Sequence, residues 1–178
     1  MTNLMLDIET LGTRPGCVVM SVALVRFHDE AQTQVNLGIA EQQTLGMTLD
    51  PDTAKWWSQQ DPAAWNAATT NPLSPRVALD YVTQWIQWAS AGAADALIWC
   101  HGATFDAPIL GDLYRRASRV EPWKFWNVRD TRTLYDLAGI SVKDFAVPPP
   151  HVALNDAIAQ TRAANAALKI IAGNRGLV

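Results

Sequence analysis

The sequence predicts a single α/β domain on a mixed central sheet, and three features carry that expectation. The first forty residues hold three β-rich runs whose connections are too short for crossover helices, so these strands should pair antiparallel. Residues 50–90 then change to helical spacing. Finally, Ala96-Leu97-Ile98-Trp99-Cys100 is short and continuously apolar, as a strand buried in a parallel sheet should be. A chain of 178 residues suits one domain with a full core, and 49% hydrophobic against 17% charged residues marks an ordered one.

Residues 3–9 read as a buried strand that ends in Asp7 and Glu9. Alternation along a strand puts both carboxylates on one face and Ile8 on the other. Two like charges at the end of a buried strand repel and are costly to desolvate, and a hard divalent cation between them is the simplest remedy. A pair of surface acids flanking a turn at Gly12 is the plainer reading of the same tripeptide. The turn spans residues 12–16 with Arg14 and Pro15. Residues 17–27 form a β-branched second central strand and residues 33–39 a more amphipathic third.

Asp50-Pro51-Asp52-Thr53 has the cap and early proline of a helix start and leads into Trp56-Trp57. A short helix is expected over residues 62–68 and a longer one over 75–89. In the longer helix Val77, Tyr81, Trp85 and Trp88 recur at helical spacing, which predicts a core-facing stripe.

The fourth strand runs into His101-Gly102-Ala103-Thr104-Phe105-Asp106, after which Ile109, Leu110, Leu113 and Tyr114 mark a helix. Asp106 thus stands near a helix start, where a carboxylate also suits the helix dipole. Asp130 is expected to cap the helix carrying Leu134, Leu137 and Ala138 rather than to bind metal. Residues 139–150 form a loop that ends in the stiff Pro148-Pro149-Pro150. It delivers His151 and Asp156 to the last helix, whose inner face reads Ala157, Ile158, Thr161, Ala164, Leu168 and Ile171.

Charge narrows the function. A net charge of −3 argues against a wide, sequence-blind nucleic-acid groove, which draws its affinity from many Lys and Arg contacts to phosphates. An enzyme that grips a few terminal nucleotides stays possible, because bound metal adds positive charge. Most of the eight tryptophans are expected to be packing residues, and exposed ones could stack on bases. Cys17 and Cys100 are too few for a disulfide framework or a zinc site, which points to a reducing, cytoplasmic setting. No run approaches the roughly 18 apolar residues of a membrane span, and no leader is evident.

Taken in order, Asp7-x-Glu9, Phe105-Asp106 and His151-x-Ala153-x-x-Asp156 resemble the three motifs of the DEDDh 3′→5′ exonucleases. The small RNase T-like exoribonuclease branch of bacteria and phages, which includes the DexA-like enzymes, is the more specific likeness. It is carried by Thr53-Ala54-Lys55-Trp56-Trp57, His101-Gly102-Ala103-Thr104-Phe105-Asp106 and Arg129-Asp130-Thr131-Arg132-Thr133-Leu134. One departure is Gly102, where many relatives carry Asn. The resemblance implies an RNase H-like fold, with a central mixed five-stranded sheet and flanking helices across residues 1–178.

It also implies a chemistry: two Mg²⁺ ions, with Mn²⁺ able to substitute, roughly 3.5–4 Å apart. By that likeness Asp7 bridges both ions, Glu9 and Asp156 complete the site of the water-bearing one, and Asp106 holds the other. Hard cations explain four carboxylates rather than a His/Cys cluster. His151 would be the general base, a task suited to imidazole because its charge changes near neutral pH. Thr10, Leu11 and Gly12 resemble a clamp on the 3′ end, with backbone N–H groups on the terminal sugar and Leu11 as a base wedge. For Leu11, simple turn packing is the alternative. Trp57 and Phe105 are weaker stacking candidates, and Arg115, Arg116 and Arg119 read as a solvated helix face.

The expected activity is therefore a 3′→5′ exoribonuclease on single-stranded or 3′-overhanging ends, releasing nucleoside 5′-monophosphates. Single-stranded DNA is the alternative substrate. A non-catalytic nucleic-acid-binding module is the alternative of another class, and its signature, loss of one of the acids, is not met. Relatives are often homodimers, so a homodimer is a further expectation.

Overall fold

The structure is a computed structural model and describes residues 1–92 and 96–174. Asn3–Thr10 (β1), Val19–Arg26 (β2) and Gln32–Asn36 (β3) form the antiparallel opening. Leu97–Cys100 (β4) joins β1 in parallel, and Val128–Asp130 (β5) joins β4 in parallel. The sheet order is β3-β2-β1-β4-β5, which places β1 at the centre. The helices are α1 (Ile39–Thr44), α2 (Pro51–Trp57), α3 (Pro62–Thr69), α4 (Pro75–Ala89), α5 (Asp106–Arg116), α6 (Thr131–Ala138) and α7 (Ala153–Asn174).

Two helix layers cover the sheet. Leu4, Leu6 and Ile8 of β1 pack into one core with Leu79, Val82 and Ile86 of α4 and Ile109, Leu110 and Leu113 of α5. Met5, Ala23 and Val25 face the opposite way, onto Leu134 and Tyr135 of α6 and the alanines 153, 157, 163, 164 and 167 of α7. Alanine keeps those side chains short, so a 22-residue helix can lie close along β1 and β2. No helix among the described residues is long and apolar enough to cross a membrane.

Several expectations change. Three of the four residues of the α4 stripe face outward: Val77, Tyr81 and Trp88 are exposed, Trp85 is partly buried against the core as expected, and the core side is otherwise Ala78, Leu79, Val82, Ile86 and Ala89. Both sets have helical spacing, and the smaller side chains won because they fit between helix and sheet. Trp88 instead stacks under Arg26, and Tyr81 Oη bonds Thr33 Oγ1 at 2.7 Å. Trp56, Trp65, Trp88 and Trp126 are all exposed, more than a packing role for most tryptophans implies. β3 stops at Asn36 and α1 begins at Ile39, so the third strand is shorter than expected. Leu137 is exposed on α6. Arg115 and Arg116 both pair with Asp112, and Arg119 pairs with Asp80, so these arginines are ion-paired rather than merely solvated.

Candidate active site

Asp7 and Glu9 share the α7 face of β1, as strand alternation requires, and both are buried. Gln160 of α7 donates from Nε2 to Asp7 Oδ1 at 2.7 Å. Asp106 arrives from the other helix layer as the first residue of α5. Pairing between β1 and β4 ends at Met5, and past that end the Ile8 N–H donates to Asp106 Oδ1 at 3.3 Å. Asp156 lies in the first turn of α7, and its Oδ2 accepts the His151 N–H at 3.0 Å. That bond helps hold His151 at φ +61°, a backbone conformation costly for a residue with a side chain.

These five residues, drawn from β1, α5, the proline loop and α7, line one cleft of about 500 Å³. One ligand atom each from Glu9, His151 and Asp156 lie within 4.8 Å of one another. The His151 ring stands edge-on to Trp56 with centroids 4.8 Å apart.

Crowding sets the electrostatics. Burial, then the charges of Asp106, Glu9 and Asp156, push Asp7 well above the ordinary carboxylate range, opposed by the Gln160 N–H. Burial and the charges of Asp156 and Asp106 raise Glu9 to about 8. Burial raises Asp106 to about 7 against the pull of the Ile8 N–H. Burial also raises Asp156, opposed by its bond from His151. Four acids that resist ionising together in one pocket are what a divalent cation with oxygen ligands would relieve, and the donor set fits such an ion.

The substrate candidates fare differently. Thr10 and Gly12 line a second pocket of about 460 Å³ that shares Ile8, Glu9 and Phe105 with the cleft. Phe105 therefore stands between the two. Gly12 also has a packing reason: a Cβ there would lie 2.5 Å from Cys17 Cβ. Leu11 is only 4% exposed and sits in the core, and its N–H is spent on Val18 O. Turn packing thus replaces the base-wedge role. Trp57 is likewise 4% exposed, and its Nε1 donates to Thr10 O at 2.9 Å, so it buttresses the turn rather than offering a stacking face. Its neighbour Trp56, 39% exposed, presents the open ring at this pocket.

Asp130 caps α6 as expected, accepting from Thr133 N–H, and its other oxygen accepts the Ala103 N–H at 2.8 Å. Gly102 has φ +119°, which disfavours any side chain, and a Cβ there would sit 3.2 Å from Arg132 Nη1. Arg132 occupies the space into which an Asn would project.

Sequence reasoning missed four residues here. Arg132 and Lys143 bring positive charge to the cleft wall, Gln160 fixes Asp7, and Trp56 replaces Trp57 as the accessible ring. Gln160 could have been found, since it lies four residues after Asp156 on one helix. Arg132 lies inside a segment already singled out. Lys143 carries no sequence signal.

The comparison with protein-family models is decisive. The model described as "3'-5' exoribonuclease Rv2179c-like domain" matches residues 2–168. The chain belongs to that family. Consistent with this, it is 28% identical over 177 aligned residues to the exodeoxyribonuclease of Enterobacteria phage T4, covering 84% of this chain and 77% of that one. Two solved structures share the fold. One is the nuclease domain of 3'hExo, described as a DEDDh family member bound to rAMP, with TM-score 0.59, 11% identity and coverage of 94% and 92%. The other is cell-death related nuclease 4 (CRN-4), with TM-score 0.57, 13% identity and coverage of 95% and 64%. The family identifies a 3′→5′ exonuclease, and the neighbours show an RNase H-like fold. The acidic cleft offers the oxygen ligands that a divalent metal ion takes.

Proposed function

We propose that this exonuclease removes nucleoside 5′-monophosphates from the 3′ ends of single-stranded or 3′-overhanging RNA, with two Mg²⁺ ions as cofactors. The observation that carries the reading is the convergence of Asp7, Glu9, Asp106, Asp156 and His151 in one cleft. The four carboxylates would hold the ions. Bound there, such ions lower the pKa of water and neutralise charge building on the phosphoryl oxygens.

The chain's own residues supply the rest. His151 accepts the proton of the attacking water, whose oxygen forms the new bond to phosphorus as the bond to the 3′ oxygen breaks. The products are a 5′-mononucleotide and a strand one residue shorter with a free 3′-OH. Arg132 and Lys143 add positive charge on the wall where phosphate would lie. Phe105 and Trp56, bounding the adjoining pocket, offer faces to the terminal base.

RNA is favoured because the matched family is described by exoribonuclease activity. Single-stranded DNA is the second reading, favoured by the phage relative named for exodeoxyribonuclease activity. Digestion of matched 5′-labelled RNA, DNA and duplex with a 3′ overhang separates them. A ladder shortening one nucleotide at a time with RNA faster supports the proposal. Faster DNA cleavage selects the second reading, and internal cuts overturn both.

A further inference from the structure

A second groove, of about 450 Å³, borders the catalytic region. Two separate segments contribute to both. Within residues 101–108, His101, Phe105 and Asp106 face the cleft, while Ala103, Ala107 and Pro108 line the groove. In the turn after β1, Gly12 and Thr13 line the pocket adjoining the cleft, and Pro15 lines the groove. The groove therefore continues the catalytic surface instead of occupying an unrelated face.

Its rim carries exposed aromatic rings with two cations beside them, while its floor carries both signs of charge. Trp123 is buried in the wall against Tyr114, whereas Phe125 and Trp126 beside it are 80% and 60% exposed. Their centroids lie 4.8 Å apart, edge to face. Neither ring belongs to a core cluster, and most of each ring is open to solvent. Lys124 Nζ stands 5.8 Å from the Trp126 ring, and Arg129 Nη1 donates to Trp126 O at 2.8 Å. Arg115 lines the groove but shares Asp112 with Arg116, and Glu121 lines it as well, so the groove floor holds no excess of positive charge and the cations that matter are Lys124 and Arg129 beside Trp126. On a chain of net charge −3, two exposed rings with Lys124 and Arg129 beside them match a strand that carries both bases and phosphates.

We infer that this groove and its Phe125 and Trp126 rim hold the single-stranded nucleic acid upstream of the nucleotide being removed. Bases stack on the two rings, and phosphates meet Lys124 and Arg129. The inference rests on the cleft being the catalytic site, and the strand length a substrate presents becomes a determinant of affinity.

The test compares wild type with the Phe125→Ala/Trp126→Ala variant on a dinucleotide and on a 5′-labelled single strand of about twelve nucleotides. Fluorescence anisotropy in chelator measures binding of the longer strand without turnover. The variant should raise KM and Kd for the longer strand roughly 10-fold. Its kcat, and its kinetics on the dinucleotide, should match wild type, and Phe125→Tyr/Trp126→Phe should restore binding. Unchanged affinity for the longer strand, or equal losses on both substrates, would overturn the inference. So would a change confined to oligomeric state, which would assign the rim to protein contact. Should wild type cut neither substrate, the catalytic reading fails while the anisotropy measurement still decides the groove.

Discussion

Gln160 Nε2 and Asp7 Oδ1 meet at 2.7 Å although 153 positions separate them in the chain. The bond ties α7 to the centre of the sheet and fixes one oxygen of a buried acid whose pKa is raised, leaving its other oxygen for a ligand. Gln160→Ala should therefore weaken divalent-ion activation by about 10- to 100-fold, the range for losing a hydrogen-bond partner of a metal ligand. Activity titrated with Mg²⁺ measures this, and saturating metal should recover most of the rate.

Asp7→Asn removes a buried charge at nearly constant shape. Turnover should drop about 10³-fold or more, roughly 4 kcal/mol of lost transition-state stabilisation. In metal-free buffer at pH 8 the same variant should melt at or above the wild-type temperature, because one source of carboxylate repulsion is gone. Mononucleotide release and a thermal melt check the two halves.

His151→Ala should lose roughly 10²- to 10⁴-fold in kcat, the usual contribution of a general base, while keeping its affinity for activating metal. A pH–rate profile that loses its acid limb in the variant supports the assignment. An unaltered rate across pH removes His151 from that role.

Stability without metal should depend on pH in a set direction. Glu9 at about 8 and Asp106 at about 7 lie above the ~4 of an unfolded carboxylate, so the folded chain holds protons that the unfolded chain has released. Below about pH 4 both states are protonated and there is no penalty. As pH climbs from about 4 to 8 the penalty grows, and the melting temperature should fall. Divalent metal should raise that temperature more at pH 8 than at pH 5, which scanning calorimetry reads directly.

Trp56 and Trp57 should separate binding from folding. Trp57→Ala opens a buried site and should cost about 3–5 kcal/mol of stability. Trp56→Ala, at an exposed ring, should leave stability nearly unchanged and raise KM several-fold. Denaturant melts and steady-state kinetics on both variants check the contrast.

The acids were legible through the resemblance of three ordered motifs, for which spacing supplied only part of the reason. Alternation put Asp7 and Glu9 on one face, and Asp106 and His151 to Asp156 stood at helix starts. Asp130 was legible as a cap for the same reason. β5 was not, since three residues ending in that cap carry too little pattern to read as a strand. Val77, Tyr81 and Trp88 of α4 were misread because two stripes share one helical period, and only packing into the core chooses between them, with Trp85 at their border. Leu11 and Trp57 were overread because burial, which decides whether a side chain can reach substrate, depends on distant contacts such as Trp57 Nε1 to Thr10 O. Gln160 shares the helix face of Asp156, a spacing signal that was there to be read, while its bond to Asp7 is seen in the packing of α7 on the sheet.

Anomalous diffraction from crystals soaked in Mn²⁺ tests the carboxylate cage most directly. Peaks should lie within coordination distance of Asp7, Glu9, Asp106 and Asp156 and vanish in Asp7→Asn. Peaks elsewhere, or none in crystals that cleave substrate when Mn²⁺ is added, would contradict it.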